Sequence, residues 1–81
     1  MANGGPRNAD LQSLARVLGE RLRRLRAQRG LTQRAAAARI GIGPLVLRRL
    51  ERGSANPSLA ILVSVARAFG IPLCRLLKKK P

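Results

Sequence analysis

Between Gly30 and Gly53 the chain has room for only two short helices, with a third glycine, Gly41, falling between them. The segment runs Gly30-Leu31-Thr32-Gln33, then seven residues, Gly41-Ile42, eight more, and Glu51-Arg52-Gly53. Glycine enters the left-handed conformation at little cost, so it ends a helix and lets the chain turn sharply. Thr32 is a good N-cap for a helix over Gln33 to Ile40, and Ala35 to Ala38 favour helix strongly. Pro44 suits the first position of the next helix, where its missing N–H would be unpaired anyway. Both helices are studded with arginine.

The flanking segments read as further helices. From Asp10, the leucines Leu11, Leu14, Leu18, Leu22 and Leu25 recur at helical steps of three and four, predicting a first helix over about residues 10–29. Its opposite face carries Arg16, Arg21, Arg23, Arg24 and Gln28, and Gly30 stops it. In the third helix Leu47 and Leu50 face inward, while Leu45, Arg48, Arg49 and Arg52 share the outer face. Asn56, capping Pro57, is expected to open a fourth helix lined by Leu59, Leu62, Val63, Ala66 and Phe69 and stopped by Gly70. Pro72 opens a short fifth with Leu73, Leu76 and Leu77. No strand-like alternation occurs, so the expected fold is all-α. Residues 1–9 read as a disordered arm carrying Arg7, residues 10–77 as one domain, and residues 78–81 as a basic tail.

Charge narrows the choice of partner. Seventeen lysines and arginines face three acids, for a net charge of +14 in 81 residues. That imbalance is self-repelling, and a polyanion would relieve it. Nucleic acid is the first candidate and an anionic membrane surface the second. A neatly capped five-helix plan argues against an interfacial peptide, which needs only one amphipathic face. The chain has no His, Tyr or Trp, and Asp10, Glu20 and Glu51 each sit in basic surroundings. Neither a metal site nor a paired-carboxylate site can be assembled from these groups. Neither enzyme activity, nor a cofactor, nor a small-molecule ligand is expected. Cys74 has no partner for an intrachain disulfide and reads as a small apolar residue in or near the core, with a redox switch as the sharper alternative. No apolar run approaches a membrane span, so a cytoplasmic location is expected.

The residues also carry a family resemblance. Leu18-Gly19-Glu20-Arg21-Leu22-Arg23-Arg24-Leu25-Arg26, Gly30-Leu31-Thr32-Gln33, Gly41-Ile42, Leu50-Glu51-Arg52-Gly53 and Asn56-Pro57-Ser58 together resemble the Xre-like family of phage repressors and Cro, over about residues 17–77. The resemblance implies a five-helix, lambda-repressor-like domain with a helix-turn-helix at helices two and three. It implies a homodimer that lays helix three in the major groove of a palindromic operator. It places Pro44, Leu45, Val46 and Arg49 at base edges, and gives Gln33, Ser54 and Asn56 to the DNA backbone. Arg34, Arg48 and Arg52 read as further phosphate contacts. Arg26 and Glu51 match a pair that joins helix one to the end of helix three in many relatives.

Two positions depart from the family pattern. Ala36 stands where a large aliphatic residue is usual, so a cavity is expected unless neighbours fill it or the helices sit closer together. Pro44-Leu45-Val46 offers aliphatic groups, which press on a thymine methyl but cannot read a hydrogen-bonding pattern. Only Arg49, and after it Arg48, offers bidentate recognition of guanine. Three readings of Leu45 and Val46 stay open: a weakly reading helix tip, thymine-methyl contact, or a protein-binding patch. The last would make the fold an interaction module, such as an antitoxin or phage accessory factor.

Overall fold

The computed structural model describes residues 8–78. The arm expected at the N-terminus, Arg7 included, and residues 79–81 of the basic tail lie outside or almost wholly outside that range. Five helices follow one another: α1 (Asn8–Gln28), α2 (Gln33–Ile40), α3 (Pro44–Arg52), α4 (Leu59–Phe69) and α5 (Leu73–Leu76). Among the described residues there is no strand, in keeping with the expected all-α class.

The capping chemistry accounts for the helix ends around the turn. The Thr32 hydroxyl accepts from the Ala35 N–H at 3.0 Å and opens α2. At the other end Gly41 lies at φ +92°, and the Ala37 carbonyl accepts from the N–H groups of both Gly41 (2.8 Å) and Ile42 (3.0 Å). Pro44 begins α3, and Gly53 at φ +75° ends it. Helix α1 starts two residues earlier than the leucine pattern predicts and stops one earlier, leaving Arg29 in the turn with Gly30.

Three expectations need correcting. Ser58, not Asn56, caps α4: its Oγ accepts from the Ile61 N–H at 3.2 Å, and Pro57 stays outside the helix. The inward stripe of α4 is also different. Val65, Ala66 and Phe69 are buried and Leu62 packs half-buried beside them, whereas Leu59 (68% exposed) and Val63 (42%) face outward. Because α4 is apolar almost all the way round, periodicity could not choose its buried face. Contact with α2 and α5 chooses it. Cys74 is corrected too. It is exposed, because the inward positions of α5 belong to Leu73 and Leu76.

The core joins Leu18, Leu22 and Leu25 of α1 to Ala36, Ala37 and Ile40 of α2, Leu47 and Leu50 of α3, the α4 stripe and Leu76. Leu14, assigned to the same stripe as Leu18, is 38% exposed, since the buried part of α1 begins beyond it. Ala36 has no exposed surface at all, so its methyl group is itself part of the core.

Helices α1 and α3 touch through a glycine. A Cβ on Gly19 would lie 2.5 Å from the Leu50 carbonyl oxygen and 2.7 Å from that of Glu51. Both atoms belong to backbone and cannot swing aside. Alanine at position 19 gains about 0.5–1 kcal/mol of helix propensity, but overpacking of this kind costs about 1–3 kcal/mol, and rigid backbone puts it at the upper end. Gly19→Ala should therefore lower stability in urea unfolding. Gly43→Ala is the comparison: its Cβ would meet only Val46 Cγ2 at 4.0 Å, so the loss should stay within about 1 kcal/mol. Equal losses for the two variants would refute the close-approach account.

Candidate nucleic-acid interface

The interface is built on one buried carboxylate. Glu51 sits at the last turn of α3 and is the sole buried charged side chain among the described residues. Arg26 of α1 grips it with both arms of its guanidinium, Nε to Oε2 at 2.7 Å and Nη2 to Oε1 at 3.1 Å. The remaining Nη1 donates to the Leu31 carbonyl at 3.0 Å, so the same arginine also holds the α1–α2 turn. Gln33 Nε2 donates to Glu51 Oε1 at 3.0 Å. Three helices thus meet at one acid. The hydrogen bonds that Arg26 donates to Glu51 raise its pKa above its usual value, with burial opposing, so the guanidinium stays charged at any working pH.

This arrangement gives Gln33 a structural contact that the sequence did not reveal. A carboxylate only accepts, so the Gln33 amide must turn its nitrogen toward Glu51. One of its two N–H donors is committed inside the protein, which leaves one for a phosphate. Arg23 adds a further tie, donating from Nη2 to the Glu51 backbone carbonyl at 3.0 Å. Interior Gly19 was the one available signal of this close α1–α3 packing, since a glycine within a helix often marks a close backbone approach.

The exposed side of α2 and α3 carries the residues assigned to DNA. Thr32, Gln33 and Arg34 from the start of α2 line one groove with Pro44, Leu45 and Arg48 of α3. A basic residue in the first helical turn opposes the macrodipole. A phosphate docked there would satisfy both the arginine and the free N–H groups of the helix end. Leu45 is 54% exposed and Val46 36%, and Arg48, Arg49 and Arg52 are exposed along the same helix. Ser54 and Asn56 belong to a different depression, lined also by Leu11, Gln12 and Ala15 of α1. The Ser54 hydroxyl donates to the Arg49 carbonyl at 3.3 Å, and its N–H donates to the same oxygen at 3.1 Å, fixing the exit from α3. The structure therefore sets Gln33, Arg34 and Arg48 around one groove and holds Ser54 and Asn56 at the other end of α3.

Two short helices tied together at Glu51, which an ion pair anchors to α1, with arginine along the outer helix and an open helix start beside it, define a helix-turn-helix DNA-binding domain. The chain belongs to the HTH_3 helix-turn-helix family, the Xre and lambda-repressor-like group, whose profile matches residues 22–76. It is 38% identical over 58 residues to an HTH-type transcriptional regulator of Sinorhizobium fredii, covering 72% of this chain and 75% of that protein. Identity reaches 46% over 61 residues with the HTH-type transcriptional regulator DdrOP3 of Deinococcus deserti, covering 75% of this chain but 47% of the relative. Among solved structures, the restriction-modification controller protein C.AhdI of Aeromonas hydrophila superposes with a TM-score of 0.73 at 35% identity, covering 84% of this chain and 97% of that one. The chain thus spans three-quarters of one curated relative and under half of another. Membership puts it among DNA-binding transcriptional regulators, a non-enzymatic group. No helix among the described residues is long and apolar enough to cross a membrane.

Glu51→Ala should cost about 3–5 kcal/mol, because it strands the half-buried Arg26 charge. Arg26→Lys should also be costly, since an ammonium cannot reproduce the two-armed grip. Replacing both with apolar side chains of similar volume should recover much of the loss. Chemical denaturation of the four proteins measures this. A double variant no more stable than Glu51→Ala would contradict it.

Proposed function

We propose that the chain is a transcriptional repressor that binds a palindromic operator as a homodimer, within the cytoplasm. Helix α3 lies in the major groove, and the half-sites are about 10 base pairs apart, one turn of the duplex. Arg49 reads guanine. Pro44, Leu45 and Val46 rest on base edges, while Gln33, Arg34, Arg48, Arg52, Ser54 and Asn56 hold the phosphates. The observation that carries this reading is the exposed arginine row of α3 standing beside the open N-terminus of α2. Repression asks for no further chemistry, since an occupied site is closed to any other protein that must bind there.

Energetics favour two copies. Each bidentate arginine–guanine contact discriminates by about 1–3 kcal/mol, and one copy supplies only one or two, about 1–6 kcal/mol in all. Specific binding usually exceeds non-specific binding by about 4–10 kcal/mol, and a second half-site doubles the discrimination and carries it well into that range. A second reading rests on the 54% exposure of Leu45, which suits a protein partner docking on the tip of α3. Binding of that kind survives high salt and is lost in Leu45→Glu, whereas phosphate-driven binding weakens steeply with salt.

Selection of bound duplexes from a random library at two salt concentrations tests the proposal. An enriched palindrome is expected; salt-sensitive binding without a motif would sink the operator reading. On the selected site, Arg49→Ala should relax preference at one base pair per half-site, by about 1–3 kcal/mol. Arg34→Ala should weaken all sequences alike and lower the salt slope by about one charge per subunit. Unchanged base preference in Arg49→Ala would remove that residue from base reading.

A further inference from the structure

The cationic surface continues on the far side of α1. There Arg21, Arg24, Leu25 and Gln28 face Arg75 and Lys78 across a cleft of about 420 Å³. That volume falls within the range of about 300–1,000 Å³ typical of small-molecule sites. The cleft is separate from the DNA face. Gly19, Arg23 and Arg26 are among the α1 residues that meet the end of α3. Arg21 follows Gly19 by two residues, about 200° around the helix, so the cleft opens away from α3.

Its chemistry is one-sided. Arg21 donates to the backbone carbonyls of Arg75 and of Lys78, the second at 2.6 Å. These bonds immobilise its guanidinium. They also cover two carbonyl oxygens that would otherwise repel an anion. The side chains of Arg24, Arg75 and Lys78 make no hydrogen bond or ion pair among the described residues, and no acid lines the cleft. Gln28 adds a neutral donor and Leu25 an apolar floor. Four like charges around one concavity repel each other until an anion sits between them. Guanidinium forks match phosphate oxygens in pairs. A hollow lined from two sides, by α1 and by the end of α5, suits a compact anion better than a broad duplex, which seats on projecting elements such as α3.

We propose that this cleft binds a short phosphate chain, inorganic or carried by a free nucleotide, at a site independent of DNA. The test is amide-resolved NMR titration of the full 81-residue chain with inorganic tripolyphosphate, at ionic strength held constant with chloride. Saturable shifts are expected at Arg21, Arg24, Gln28 and Arg75. The double variant Arg24→Ala/Arg75→Ala should weaken binding about tenfold or more, the usual scale for losing charged hydrogen bonds, while Arg34→Ala leaves it within about twofold. Both replaced side chains are exposed and unbonded, so the melting temperature should hold. If it falls, Arg24→Gln alone supplies the comparison. Adenosine triphosphate distinguishes the sources: matching shifts admit a nucleotide, and binding by tripolyphosphate alone assigns an inorganic chain. Shifts confined to α2 and α3, non-saturating shifts over both faces, or wild-type affinity in the double variant would overturn the proposal. So would a duplex that displaces tripolyphosphate and moves the same amides, which would make the cleft a second DNA contact.

Discussion

The fold turns on what surrounds the Glu51 carboxylate. A buried charge is tolerable only when paired and hydrogen-bonded, and here the partners of this α3 residue come from two other helices, Arg26 from α1 and Gln33 from α2. Each bond is ordinary in length, yet together they set where the start of α2 lies relative to the end of α3. Pairs of this type add little net stability over a well-packed apolar substitute. Their value here lies in directionality, since an apolar contact tolerates sliding and a two-armed guanidinium grip does not. The Gly19 contact works toward the same end, bringing backbone against backbone where any side chain would hold α1 and α3 apart.

Much of this was legible in the sequence because the signals were local. Thr32, Gly41, Pro44 and Gly53 each act within a few residues, through a hydroxyl, a missing Cβ or a missing N–H, and α2 and α3 begin and end where those residues place them. Legibility failed where the outcome depended on distant partners. In α4 several apolar faces compete, and Val65 rather than Val63 turns inward because α2 and α5 lie on that side. Asn56 and Ser58 are both good caps, and nothing local separates them. The Arg26–Glu51 pair was named through resemblance to relatives, whereas the tie from Gln33 to Glu51 emerged only from the structure. Neither spacing nor composition pairs Arg29 with α4, where it donates to the Phe69 carbonyl at 2.9 Å and stands 5.0 Å from that ring's centre.

The scaffold and the proposed reading face of α3 differ in character. The scaffold residues are satisfied within the protein, and no buried side-chain polar atom among the described residues lacks a partner. The outer face of α3 is the reverse, with Leu45 and Val46 exposed and its arginines unpaired. Such a surface can change its target through a few side chains without disturbing the network beneath. A domain of this kind can diverge in what it reads while keeping how it stands.

The unbalanced arginines have a further consequence for the free protein. With one ion pair among the described residues and so few acids to set against the cations, mutual repulsion favours expansion, and dissolved salt screens it within about 10 Å at 0.1 M. The same salt competes with the protein for phosphates. Fold and binding therefore answer ionic strength in opposite directions: the conditions that best hold the isolated chain together are those in which it grips DNA least. In dilute salt the duplex takes over the role of counterion, and bound DNA helps to keep the domain folded.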